Sequence, residues 1–224
     1  MTFSIAARCV QTGMFGVAIA SSSPAVAARC AHARRGAGAV ATQNITDPSL
    51  GPRILDSLAL GLRADGALKE ALQSTAFGAY RQLVVVGAHG PPAIHSGERA
   101  LGQVGSATGA HSAAAGNLLA RDDVPAAMVS AFEAAGGHFG ARLLRALRAG
   151  AERGGEVGPV HSAGLLVVRE VSWPIVDLRV DWHGHDPLGA LAATWDIYAP
   201  QIDDYVRRAL DPGAAPGFGV PGSP

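Results

Sequence analysis

Lysine is almost missing from this chain: of 18 basic residues, only Lys69 is not an arginine. A mechanism that needs a lysine near the N-terminus has no candidate there. Net charge is missing as well, because 18 acidic residues balance the 18 basic ones. With no basic surplus to neutralise a phosphate backbone, nucleic acid is excluded as the main partner. No block of like charge suggests an acidic or basic tail. Cysteine is scarce, and Cys9 and Cys30 do not make a disulfide framework in a chain this long. Neither has a neighbouring histidine to activate it, so both read as buried fillers. No run approaches the roughly 18 to 20 apolar residues that span a membrane, which argues against a membrane partner. The N-terminus lacks the basic region and long apolar run of a signal peptide. A cytoplasmic protein with reduced thiols is expected.

What is present is a 224-residue chain, 48% hydrophobic, enough for one large domain with a sizeable core. Residues 2–8 (TFSIAAR) and 14–21 (MFGVAIAS), separated by a QTG turn, read as a β-hairpin. AVAAR (25–29) reads as an extended continuation and GAVATQ (38–43) as a third strand. Asp47 or Ser49 then opens a helix whose Ile54, Leu55, Leu58 and Leu62 fall at helical spacing. ADG (64–66) ends that helix and ALKEALQS (67–74) forms another. Residues 80–90 and 91–97 read as a second hairpin, and 98–121 as loops with short strands, GNLLA (116–120) among them.

Helices are expected at 124–137 and 138–155, strands at 162–171 and 174–183, and a largely helical stretch at 187–210 that Pro200 bends or splits. From Asp211 the chain is rich in Gly and Pro and reads as a mobile tail, leaving residues 1–210 as a single domain. Blocks of strands interleaved with blocks of helices give a layered α+β protein rather than strict βαβ alternation.

The first residues pose a chemical question. Thr2 starts a strand, but if Met1 is removed it becomes an N-terminal residue with a hydroxyl and a free α-amine. TFSIAAR, GVAIAS, VATQNITDPSLGPR and GNLLA, in that order, resemble the bacterial and archaeal family catalogued as domain of unknown function 1028. The similarity runs from Thr2 to about Tyr205. Members of that family are described as similar to N-terminal-nucleophile (Ntn) hydrolases. The resemblance therefore implies a four-layer αββα sandwich and a hydrolase of C–N bonds in a small molecule, without a cofactor or a metal. A homo-oligomer is expected at the level of the fold alone.

In an Ntn hydrolase the first residue attacks an amide carbonyl, and its own α-amine accepts the proton. Thr2 would fill that role here, with Gln43, Asn44 and Asn117 as amide side chains able to support an oxyanion. Ser4 and Arg8 share a strand face with Thr2 by period-two alternation and would line the same cleft. Ser21 and Ser22 end the paired strand beside Thr2, and Thr42 lies in the polar run before Asn44. Proteasome-like Ntn enzymes use a lysine to tune the nucleophile. The nearby cations here are Arg29, Arg34 and Arg35, of which Arg34 is taken as an anion holder, because arginine stays protonated and shuttles protons poorly. The alternative is a non-catalytic binding or assembly protein on the same scaffold. His183, His185 and Asp181 fall on one strand face as candidate metal ligands, and His161 reads as either a pocket residue or a loop histidine.

Overall fold

The computed structural model describes residues 1–217. Strand β1 (Thr2–Arg8) pairs antiparallel with β2 (Phe15–Ser21), Phe3 opposite Ala20 and Arg8 opposite Phe15. A short helix α1 (Val26–Cys30) leads into β3 (Ala31–Arg34) and β4 (Gly38–Asn44). Helices α2 (Leu50–Ala59) and α3 (Ala64–Gln73) follow, then strands β5 (Arg81–Gly87), β6 (Ala93–Ser96), β7 (Gly105–Thr108) and β8 (Ser112–Asn117). The order closes with α4 (Val124–Ala134), α5 (Phe139–Glu152), β9 (Ser162–Val168), β10 (Val176–Val180), α6 (Pro187–Tyr198) and α7 (Ile202–Leu210).

The strands form two antiparallel sheets. One runs β10-β9-β2-β1-β8-β7 and the other β3-β4-β5-β6. β1 lies inside the larger sheet with both faces covered, so its first six residues are all buried. Phe3 and Ile5 point into an apolar cluster shared with Met128, Phe132, Leu143 and Leu147 of α4 and α5. Each such side chain contributes about 1.5–3 kcal/mol by leaving water. The other face of the larger sheet supplies Val17, Ile19 and Ala115, which meet Ala39, Ala41 and Val84 of the smaller sheet. A third cluster joins Val40, Leu83 and Val85 of that sheet to Ile54 and Leu58 of α2 and Leu68 of α3. Alanine recurs where the sheets meet, which leaves room between them for longer polar side chains at one end.

Local differences from the sequence reading have local causes. AVAAR is helical rather than extended: Ala25 takes a left-handed φ of 50°, and Val26, Ala27 and Cys30 then bury one face. β3 has no counterpart in the sequence pattern. ADG begins α3 instead of ending a helix, because Gly61 at φ 95° terminates the preceding one and Asp65 favours a first turn. Pro200 sits in a single 3-10 turn, Ala199–Gln201, that divides α6 from α7. The tail expected from Asp211 is described only to Gly217, and residues 218–224 lie outside the described residues. Among the described residues no helix is long and apolar enough to cross a membrane.

Candidate functional site

Period two along β1 sends Thr2, Ser4, Ala6 and Arg8 towards the smaller sheet. At the start of the strand Thr2 lies opposite Asn117 of β8 on one side and beside Ser21 of β2 on the other. It is only 6% exposed. Its Oγ1 donates to the carbonyl oxygen of Met1 at 2.5 Å and lies 3.2 Å from Ser21 Oγ. The Ser21 hydroxyl donates to the same Met1 carbonyl. Ser21 is itself held in place, because the Ser23 amide donates to its Oγ (3.0 Å) and the His161 amide to its carbonyl (2.9 Å). Two hydroxyls thus converge on one amide carbonyl oxygen at the tip of a rigid strand.

Below Thr2 runs a chain of buried side-chain hydrogen bonds. Ser4 Oγ donates to Gln43 Oε1 (2.6 Å), and Gln43 Nε2 donates to Gln82 Oε1 (2.7 Å) and to the Ala115 carbonyl (3.1 Å). Gln82 Nε2 donates to Ser96 Oγ (2.9 Å) and to the Gly116 carbonyl (3.0 Å), while its Oε1 also accepts from Asn117 Nδ2 (3.1 Å). The amide orientations follow from chemistry: the two main-chain carbonyls can only accept, so both glutamines must turn nitrogen towards them. Both N–H groups of Gln43 are therefore committed to the network. Asn117 differs, because its Oδ1 is buried and has no partner.

The structure adds a residue that the sequence reading passed over. Gly154 (φ 123°) and Gly155 (φ 57°) end α5 in conformations that side chains resist, and they turn the chain beneath Phe3. Glu156 then pairs with Leu119, just beyond Asn117. It is 4% exposed, and neither carboxyl oxygen completes a hydrogen bond, although the Ser22 amide and hydroxyl lie close enough to favour its charged form. Burial pushes its pKa up to about 7, with the N-terminal ammonium acting in the opposite sense. The sequence signal was RGGEV: two glycines followed by the acid. Gln82 was also missed, since a glutamine inside a strand carries no motif.

Other expected site residues are placed elsewhere. Arg8 shares the face of Thr2 but stands at the far end of the strand, about 20 Å away at the rise of an extended chain. It donates to the carbonyls of Gly87 (2.7 Å) and Gly90 (2.9 Å). It does not line the cleft of Thr2. Arg34 is on the surface, paired with Asp56 of α2 at 2.7 Å, and is likewise outside the cluster. Thr42 falls on the opposite face of β4 from Gln43, bonded to Thr46 Oγ1 (3.1 Å). Asn44, at a left-handed φ of 73°, donates to the Tyr80 carbonyl (2.5 Å) and accepts the Leu101 amide (3.0 Å), so its side chain ties two loops together.

His183 and His185 do not continue a strand, because β10 ends at Val180. His183 Nδ1 accepts the amides of His185 (3.3 Å) and Asp186 (2.8 Å) and is consumed by the turn. Among the described residues no group of three or more His, Cys, Asp or Glu is arranged to hold a metal. His161 stacks on Trp182 at 4.3 Å with Nδ1 bonded to the His183 carbonyl. Both thiols are free and buried.

Residues 2–191 match a family of unknown function, DUF1028. Among solved structures, the crystal structure of protein SPO2555 from Silicibacter pomeroyi, assigned to the same family, is 32% identical. That likeness covers 92% of this chain and 94% of that one, at a TM-score of 0.83. Anbu (ancestral beta-subunit) from Yersinia bercovieri is 12% identical over 91% of this chain and 97% of its own, at a TM-score of 0.40. No curated protein is significantly similar to this chain.

Proposed function

The chain belongs to the family of unknown function DUF1028, and from that premise we propose that it is an Ntn-type hydrolase of a C–N bond in a small amide. The observation that carries this reading is the pair of hydroxyls, Thr2 and Ser21, converging on the Met1 carbonyl oxygen. An amide carbonyl is seated against the candidate nucleophile. The three apolar clusters, one between the sheets and one on each outer face, support a four-layer αββα sandwich.

After Met1 is removed, the Thr2 α-amine takes the hydroxyl proton while Oγ1 attacks the substrate carbonyl carbon. An α-amine has an ordinary pKa of about 7.7–8.0, which suits a base working near neutrality. The Ser21 hydroxyl holds the carbonyl oxygen as it becomes an oxyanion. The C–N bond breaks, the leaving amine takes the proton from the Thr2 ammonium, and an ester remains on Thr2. Water, deprotonated by the same amine, releases the acid and restores Thr2. Ser4, Gln43, Gln82 and Asn117 hold the strand ends in register beneath these steps; of these, Asn117 keeps a free amide oxygen for a substrate donor.

Intact mass of the purified chain and hydrolysis of an amide panel test the reading. Loss of Met1 with turnover that disappears in Thr2→Ala is expected. Undiminished turnover by Thr2→Ala overturns it. A second reading, a binding or assembly protein without turnover, draws on the near-complete burial of Thr2 while Met1 is attached. A native chain that keeps Met1 and stays inert across the panel favours that reading.

A further inference from the structure

Met1 occupies the Thr2 site as a ligand would, and its parts are directed to different groups. Its carbonyl accepts from the hydroxyls of Thr2 and Ser21. Its side chain lies against Gly158, where an added Cβ would stand 3.2 Å from the methionine Cε and 3.6 Å from Sδ. Its α-ammonium is near enough to act electrostatically on Glu156, without forming a hydrogen bond to it. The site therefore separates into a carbonyl position, a side-chain position and an amine position.

The amine position holds the least satisfied group. Glu156 is 96% removed from solvent, yet both carboxyl oxygens lack a hydrogen-bond partner. A buried carboxyl without partners costs several kcal/mol in its charged form, so chains that keep one usually have a cation to meet it. The double-glycine turn is built to deliver it: Gly154 and Gly155 both adopt positive φ, and Gly155 passes against the Phe3 ring at 3.3 Å from where a Cβ would be. No arginine or lysine forms an ion pair with Glu156 among the described residues. The charge that acts on it is the amine of Met1 itself.

We infer that the space filled by Met1 is the acyl subsite, and that Glu156 makes it select acyl groups bearing a free α-ammonium: aminoacyl amides and the first residue of short peptides. Gly158 leaves room there for an unbranched side chain. This rests on the reading of Thr2 as nucleophile, and it names the substrate class of that site. An N-acylated substrate brings no cation of its own to Glu156, whereas an aminoacyl amide supplies the charge that Met1 now supplies. The orphan Asn117 Oδ1, across the strand from Ser21, lies at the Thr2 end to accept from the leaving amide nitrogen.

Binding can be separated from turnover. The full chain, released from an N-terminal fusion so that Thr2 is its first residue, is titrated calorimetrically with methionine amide and with N-acetylmethionine amide. Methionine amide is expected to bind about 10-fold tighter or more, as for a desolvated charge pair. Glu156→Gln is expected to bring the two affinities together. Gly158→Leu, which keeps the carboxyl, is expected to weaken methionine amide but not glycine amide. Equal affinities in the parent chain, or no binding of either amide by protein that melts cooperatively, overturns the inference. Preferential binding of methionine amide without hydrolysis would remove the hydrolase reading and leave the subsite standing.

Discussion

Strand β1 carries polar residues at both ends of the same face, and the ends differ in how completely they are partnered. At the Arg8 end the guanidinium meets two main-chain carbonyls and His111 Nδ1, at 2.7, 2.9 and 3.3 Å. The adjoining cavity of about 330 Å³ is lined by Arg8, His111, Glu133 and Arg142. Glu133 there accepts the Ala110 amide. The Ser112 hydroxyl is an orphan nearby, but period two puts it on the strand face turned to α4. At the Thr2 end a carboxyl and an amide oxygen are buried without partners. A polar group whose bonds close within the chain holds structure, while one left open on the face between the sheets is available to a ligand. By this measure the cavity beside Arg8 lies at the wrong end.

The sharpest test of the contrast is removal of the nucleophile. Thr2→Ala is expected to lower turnover of a hydrolysed amide by about 1,000-fold or more, and Thr2→Ser to retain a measurable fraction, in a steady-state assay. The next largest effect falls on stability. Gln43→Leu takes the acceptor from the Ser4 hydroxyl and the donors from the Ala115 carbonyl and Gln82 Oε1, all buried. It is expected to cost about 3 kcal/mol in urea unfolding. A loss below about 1 kcal/mol would mean that the network tolerates open bonds, and the distinction between the two ends would weaken.

The hairpin of β1 and β2 was legible because the first strand alternates and the second is nearly all apolar, around a short turn. So was the Thr2–Ser21 contact, which follows from pairing alone. Period two also placed Ser4 and Arg8 on the face of Thr2, but the same rule says nothing of distance along the strand, and the length of a seven-residue strand separates a cleft from its opposite rim. The polar run Thr42-Gln43-Asn44 was read as one unit, whereas alternation splits it, sending Gln43 between the sheets and its neighbours away. Gln82 and Glu156 were illegible for a different reason. Each reaches the site from a distant part of the chain, Gln82 by sheet pairing with Gln43 and Glu156 by a glycine turn. Neither event has a local pattern.

Glu156 also makes a pH signature that the Arg8 end lacks. Its folded pKa, raised by burial to about 7, lies above the unfolded value near 4.5. The folded state therefore binds the proton more tightly, and the resulting stability is present in full below pH 4.5 and lost as pH rises through about 7. Glutamine cannot ionise. Glu156→Gln is expected to gain about 2 kcal/mol on the parent chain between pH 5 and pH 8, read from urea midpoints at each pH. An unchanged difference would mean that the carboxyl is solvated or already paired.

The smallest expected effect is the one that would break the contrast outright. Arg8→Met keeps the apolar stem of the side chain and removes its hydrogen bonds to Gly87, Gly90 and His111. Two of those acceptors, the Gly90 carbonyl and His111, are exposed, so water can replace the guanidinium there. The loss should be about 1 kcal/mol of stability. Turnover should stay within about 3-fold of the parent, because roughly 20 Å of strand separates Arg8 from Thr2. A collapse of turnover with stability intact would place substrate along the whole seam between the sheets, from Thr2 to the cavity beside Arg8. The closed hydrogen bonds of Arg8 would then have to open on binding, and partnering within the chain would no longer separate structure from site.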